Sequence, residues 1–175
     1  MNFQPENPYI GYEYKEIQVA AKDLSLCLDA YENFGWLPEN PRPADPGRGT
    51  VTLHLKRSRK IINKMELTRL QRNFESCMEE IHQMERAPGQ TATVWALGTA
   101  LAGTAFMAGS VFAITGEPPR YLAMILLAVP GFAGWLLTLP VYRRVFRRQR
   151  RKLQPFIDAK YNEIDQLCEK GHSLL

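Results

Sequence analysis

The chain has 175 residues, of which 45% are apolar, 10% aromatic and 23% charged, and its formal net charge is +4. That length leaves room for one domain, or for a small domain plus something else. The charge excludes a generally basic surface, because residues 1–89 hold 12 Lys/Arg against 13 Asp/Glu while residues 90–175 hold 10 against 5. The average composition also conceals two uncharged blocks, 87–116 and 121–142, which a soluble chain of this size cannot enclose.

The opening stretch Met1-Asn2-Phe3-Gln4-Pro5-Glu6-Asn7-Pro8 has neither a basic nor an apolar region, so no cleavable signal peptide is expected. Residues 12–57 then read as strand, helix, strand, strand. Tyr12 to Val19 is rich in strand formers, but Tyr12 and Tyr14 share one parity and Ile17 and Val19 the other, which suggests a bulge or burial on both faces. Leu24, Cys27, Leu28 and Tyr31 mark a helical stripe that closes on Gly35 as a left-handed cap. Trp36-Leu37 opens a short strand, and Pro38, Pro41, Pro43, Pro46, Gly47 and Gly49 form an irregular loop. Val51, Leu53 and Leu55 alternate with Thr52, His54 and Lys56 in the last strand.

The set Tyr12-Glu13-Tyr14-Lys15, a Leu-rich helix closing on Gly35-Trp36, and Leu55-Lys56-Arg57 resembles the small uncharacterised βαββ domains with the pattern YEYK, GW and (F/L)KR. The resemblance covers about the first third of the chain. Pro38 departs from the usual acidic-apolar continuation after the tryptophan. The resemblance implies a βαββ fold, here over 1–61, and carries no activity to transfer; the Lys/Arg bias around the apolar blocks makes this domain cytoplasmic.

Residues 62–89 read as an amphipathic helix, with Asn63 as N-cap and Glu66 in the capping-box position. Leu67, Leu70, Phe74, Cys77, Ile81 and Met84 follow at heptad spacing, with Gln71 and Arg72 on another face. Ala87-Pro88-Gly89 is expected to interrupt this helix.

Two membrane-spanning helices are expected within 90–142, at about 92–115 and 121–142, because some 20 apolar residues cover the roughly 30 Å hydrocarbon core and a backbone in lipid must satisfy its own hydrogen bonds. Gly116-Glu117-Pro118-Pro119-Arg120 permits only a tight turn, so the two form a hairpin. Lys/Arg bias on the flanks places both termini in the cytoplasm, making a multi-pass cell-membrane protein. Trp95, Tyr121 and Tyr142 read as interfacial aromatics and Trp135 as a packing residue. Small residues recur in two rows, Ala96, Ala100, Thr104 and Ala108, and Ala105, Gly109 and Ala113. One row is expected to serve the hairpin and the other an oligomer, an assignment the sequence leaves open. The second span offers Gly131, Gly134 and Thr138, with Pro130 and Pro140 as kink positions.

In 143–175 a basic collar, Arg143, Arg144, Arg147, Arg148, Arg150, Arg151 and Lys152, precedes a final helix with the stripe Leu153, Ile157, Tyr161, Ile164 and Cys168. The collar reads as a topology determinant and as a site for anionic lipids, two compatible roles. Two arrangements suit the flanking helices. In one, Leu70, Phe74, Cys77 and Ile81 face Ile157, Tyr161 and Ile164 in a stalk or oligomer seam; in the other, each helix covers a different part of the sheet.

Chemistry is not written in any motif. His54, His82 and His172 lack ligand spacing, the three cysteines suit neither a disulfide framework nor zinc, and phosphate-binding, dinucleotide-binding and nucleophile-elbow motifs are missing. Neither span carries Asp, Glu, Lys, Arg or His, which disfavours a stand-alone transporter, although Thr93, Thr99, Thr104 and Ser110 offer hydroxyls for the lining of a pore. No enzyme activity, cofactor, nucleic-acid partner or small-molecule substrate is therefore expected. The fold class is an α+β membrane protein with cytoplasmic helices flanking the hairpin. Its expected role is a self-associating, membrane-anchored scaffold or adaptor, with an accessory subunit of a larger membrane transporter or channel as the alternative.

Overall fold

A computed structural model describes residues 10–39, 49–116 and 119–175. Strand β1 (Tyr12–Ala20) leads through a 3-10 turn (Ala21–Asp23) into helix α1 (Leu24–Asn33), and strands β2 (Trp36–Pro38) and β3 (Thr50–Ser58) follow. Two helices of 52 residues each, α2 (Lys64–Thr115) and α3 (Tyr121–His172), complete the chain, which is thus an α+β protein. Two compact units result, one of residues 1–78 and 161–175 and the other of residues 79–160.

In the first unit the sheet is antiparallel with the order β1-β3-β2. The alternation of β3 places Val51, Leu53 and Leu55 in the core and leaves His54 exposed. Every residue of β1 faces one of β3, from Tyr12 opposite Ser58 to Ala20 opposite Thr50, so the strand has no bulge. Its mixed parity has another cause: Glu13 and Lys15 share the inner face with Ile17 and Val19, while Tyr12 and Tyr14 are exposed on the outer one.

Helix α1 ends where the Phe34 and Gly35 amides donate to the carbonyls of Tyr31 and Glu32, at 3.1 and 2.9 Å. Gly35 has φ +80°, and a Cβ there would lie 2.8 Å from Ile61 Cδ1 and 2.9 Å from Leu175 Cδ2. The left-handed conformation requires glycine, whereas the two terminal methyl groups can shift.

The start of α2 buries Leu67, Leu70, Phe74 and Cys77 in this unit, and the end of α3 buries Ile164 and Leu167. The Phe74 ring meets Tyr31 edge-on at 5.7 Å and Phe34 at 5.8 Å between centroids. Its aromatic neighbours thus include Tyr31 of α1 and Phe34 just past the end of that helix; Tyr161 is half-buried. Gly171 of α3 approaches the end of α1, where a Cβ would stand 2.8 Å from the Phe34 ring and 2.9 Å from the Asn33 carbonyl oxygen. Helix α1 is only ten residues long and its apolar stripe must be covered; Phe74 of α2 and Gly171 of α3 both reach Phe34 at its end.

Asn63 accepts the Leu67 amide through its backbone carbonyl, and its side-chain amide donates to the Leu174 carbonyl. Gln71, expected on a separate face, is buried and accepts the Trp36 Nε1 hydrogen at 2.8 Å.

In the second unit α2 continues through Ala87-Pro88-Gly89, contrary to the expected interruption. Proline removes one backbone donor and crowds the carbonyl four residues before it, but a helix whose proline is packed can absorb the cost, and Pro88 is buried. Helix α3 likewise runs through Pro130, Pro140 and Pro155, so spans ending near 115 and 142 are portions of longer helices. The Arg120 amide donates to the Ala113 carbonyl at 3.0 Å across the turn. Residues 1–9, Pro41 to Gly47 of the proline-rich loop, and Glu117-Pro118 lie outside the described residues.

Replacing Phe74 with Ala should destabilise the protein by about 3–5 kcal/mol, as emptying an aromatic core site does, and Phe74→Asp should cost more. Exposed Arg72→Ala should stay within about 0.5 kcal/mol. Denaturant unfolding in mild detergent measures both.

Candidate functional site

Three features carry functional weight: the packed face of the hairpin, the basic collar, and the two faces of the sheet. Each has its own physical origin.

Helices α2 and α3 touch most closely at glycine. A Cβ on Gly103 would lie 2.9 Å from both the Gly131 carbonyl oxygen and Trp135 Cδ1, and one on Gly134 would lie 2.9 Å from Gly103 Cα. Met107 packs on Gly131. Buried Ala92, Ala96, Gly103 and Ser110 thus define the inner face of α2. Of the small residues named from sequence, Ala96 is on this face, Ala100 and Gly109 are half-buried, and Thr104, Ala105 and Ala108 are exposed. The even four-residue spacing drifts across a helix of 3.6 residues per turn, whereas the observed row steps from Ala92 by four to Ala96 and then by two-turn intervals of seven to Gly103 and Ser110. Gly103 could have been found by asking which residue of α2 lies at the height of Gly131 and Gly134.

Hydroxyls in this region are satisfied within their own helices. Thr93, Thr99, Thr104 and Ser110 donate to the carbonyls of Gly89, Trp95, Ala100 and Met107 at 2.8–3.0 Å. The residues imagined along a pore thereby direct their hydrogens into the backbone. Thr104 Oγ1 also accepts from Trp135 Nε1 at 3.3 Å, so Trp135, 49% exposed, still touches α2.

Outside the packed face, both helices are covered with exposed apolar side chains, including Phe112 at 77%, Leu122 at 86% and Leu136 at 78% exposure. By length and composition both are apolar enough to cross a membrane, and only 11% and 6% of their most apolar stretches are buried. Trp95 and Tyr121 are exposed as well.

Directly beyond the apolar part of α3, all seven collar cations are exposed. They occupy one side of the helix, and Tyr142, Val145, Phe146, Gln149 and Leu153 on the other side are half-buried, with Tyr142 stacked on Phe146 at 6.0 Å. Among the described residues no carboxylate pairs with the collar. An open groove of about 950 Å³ lies along it, lined by Leu139, Pro140, Arg143, Arg144, Arg147, Arg148, Arg151 and Lys152.

Of the expected seam residues in this unit, Ile81 is buried and Met84 and Ile157 are half-buried. The Glu80–Lys160 ion pair at 2.9 Å links α2 to α3 here.

The inner face of the sheet holds a polar network that sequence reasoning missed. Arg57, 3% exposed, donates to Glu13, to the Phe34 carbonyl and to Thr68, and stacks over the Trp36 ring at 4.5 Å. Lys64 also donates to Glu13. Glu75 accepts from Lys15, from Gln71 at 2.8 Å and from the Tyr31 hydroxyl at 2.7 Å. The available signal was the parity that Glu13 and Lys15 share with Ile17 and Val19. Burial raises the Glu13 and Glu75 carboxyls, but charge-assisted hydrogen bonds outweigh it, and both titrate below their ordinary values. Burial, reinforced by Glu75, raises the Tyr31 hydroxyl.

The outer face is different in kind. Tyr14 is 67% exposed on β1 and Leu37 51% exposed on β2, and Lys56 of β3 is opposite both. Lys56 also lies over the Tyr12 ring at 5.8 Å and pairs with Glu39 at 3.9 Å.

Cys27 and Cys168 have thiols pushed up to about 11, by burial first and then by Asp23 and Asp165 respectively. Such thiols are poor nucleophiles. Among the described residues no group of three or more His, Cys, Asp or Glu could hold a metal. Compared with protein-family models, with curated proteins and with solved structures, the chain finds no match.

The lowered carboxyls fix a pH dependence. Ionised Glu13 and Glu75 are stabilised by folding, so their contribution is complete above the unfolded range near about 4.3 and disappears as pH falls through their lower folded values. Thermal unfolding from pH 6 downward should show this loss. The Glu13→Gln/Glu75→Gln variant should start less stable and show a flatter dependence.

Proposed function

We propose that the protein is a two-pass integral membrane protein of the cell membrane, with both termini cytoplasmic, that anchors a self-associating scaffold domain at the membrane surface. The observation that carries this reading is the apolar surface of α2 and α3: side chains such as Leu122 and Leu136 are exposed over stretches that carry no charge. Water opposes such a surface and lipid accepts it. The self-satisfied hydroxyls and the close Gly103–Gly131 approach suit a hairpin in hydrocarbon, where packing and internal hydrogen bonds replace hydrophobic drive. Lys/Arg-rich flanks support the orientation.

The scaffold role rests on the domain's two faces. The inner face is committed to α1, α2 and α3, whereas the outer one presents Tyr14 and Leu37 beside a cation. Exposed aromatic and aliphatic groups of this kind are suited to association, and a second copy is the proposed occupant.

The membrane reading predicts that the chain resists alkaline extraction from membranes. Single cysteines placed in a background without the native ones test orientation: at Arg120 the thiol should react with an impermeant maleimide in intact cells, and at exposed Ser25 or Ser173 only after permeabilisation. The reverse pattern would refute the orientation. Native Cys27 is unsuitable as a reporter because it is buried.

The association reading predicts that Tyr14→Glu/Leu37→Glu lowers the oligomeric mass in mild detergent without moving the thermal midpoint. A monomeric wild-type protein that copurifies with a larger membrane protein would favour the accessory-subunit role instead.

A further inference from the structure

Between Glu117 and Asp158 the sequence contains no acidic residue, so nothing nearby along α3 neutralises the collar. Arg143, Arg147 and Arg151 form one row along the helix at four-residue spacing, and Arg144, Arg148 and Lys152 form a second beside it. The groove between the side chains changes character along its length, since Leu139 and Pro140 at one end are apolar and all its remaining lining residues are cationic. An apolar floor leading into guanidinium groups matches the order of parts in a phospholipid, acyl chain first and phosphate next.

The heights of the cations divide their work. At about 1.5 Å per residue, Arg143 to Arg147 covers about 6 Å and Arg143 to Lys152 about 13 Å. The headgroup layer of one leaflet is about 5–8 Å thick, being half the difference between the whole bilayer and its hydrocarbon core. Measured from the end of the apolar block at Tyr142, Arg143 and Arg144 stand about 1.5 and 3 Å up, inside that layer, Arg147 about 7.5 Å up, at its outer edge, and Arg148 about 9 Å up. Arg148, Arg151 and Lys152 stand above it, within the Debye length of about 8 Å at physiological salt.

We infer that the foot of the collar is a binding site for one anionic phospholipid. Leu139 and Pro140 contact its acyl chain, and Arg143, Arg144 and Arg147 hold its phosphate. Arginine suits this role because its planar fork meets two phosphate oxygens at once, which the point charge of lysine does not. The upper cations attract the anionic leaflet as a whole through the surface potential. This site rests on the membrane reading given above.

The test uses the full chain in nanodiscs of phosphatidylcholine with a minor fraction of phosphatidylglycerol, followed by gentle detergent release and native mass spectrometry of the lipid retained. Wild-type protein should retain phosphatidylglycerol in preference to phosphatidylcholine, and Arg143→Gln/Arg144→Gln/Arg147→Gln should lower that retention roughly tenfold, the scale of a lost charge-assisted contact. Arg148→Gln/Arg151→Gln/Lys152→Gln, which removes the same charge, should keep most of it. Arg143→Lys/Arg144→Lys/Arg147→Lys preserves charge and its topological signal, and should still lose part of the preference. Equal losses in the two Gln variants, or wild-type protein that retains both lipids alike, would overturn the site while leaving the membrane reading intact. Failure of the chain to enter nanodiscs would overturn both.

Discussion

A buried guanidinium organises the strand-bearing unit. Arg57 lies on the same face of β3 as Val51, Leu53 and Leu55, and its charge can remain there only because Glu13, the Phe34 carbonyl, Thr68 and the Trp36 ring surround it. An unpartnered buried charge is strongly destabilising, so the network ties four elements together. β1 supplies Glu13, the end of α1 supplies Phe34, β2 supplies Trp36 and α2 supplies Thr68. The second cluster, centred on Glu75, repeats the logic with Lys15, Tyr31 and Gln71. Because α2 contributes Thr68, Gln71 and Glu75, the sheet's inner face cannot be satisfied by the βαββ segment alone.

Steric fit complements this polar arrangement. Phe74 packs against Tyr31 and Phe34 between its polar neighbours on α2, and Gly171 lets α3 approach the Phe34 ring as well. Helix α1 is consequently held by both long helices. The outer face receives no such cover from the described residues, and Tyr14, Lys56 and Leu37 form a row across all three strands there.

In the second unit the contrast between surfaces is equally strong. Gly103, Gly131 and Gly134 allow the helical backbones to approach, and threonine hydroxyls bond within their own helices. The remaining circumference is apolar until Tyr142, after which α3 becomes one-sidedly cationic. That sharp change along a single helix gives the proposed membrane reading a defined boundary. It also gives the proposed lipid site its order of apolar floor and cationic wall.

Much of this organisation was legible in the linear chain. Charge-free blocks identified the apolar stretches, alternation identified β3, and Gly35 identified the end of α1, because each signal depends on neighbouring residues and backbone preference alone. The collar was visible as composition, and its one-sided exposure follows from helical periodicity. Other features depended on residues far apart in sequence. Glu13 and Lys15 resemble solvent-facing residues until Arg57, Lys64 and Glu75 are brought to them, and that pairing turned an apparently irregular strand into a regular one. Phe74 belonged to a heptad pattern that could face any apolar surface; tertiary packing set the rings of Tyr31 and Phe34 against it. Pro88 suggested a break by local rules, yet the helix continues through it. Gly103 was one small residue among many until α3 placed Gly131 and Gly134 against it. Local chemistry therefore determined which segments are helical, extended or apolar, and tertiary structure decided which surfaces meet, because burial, pairing and close approach require partners that sequence separation conceals.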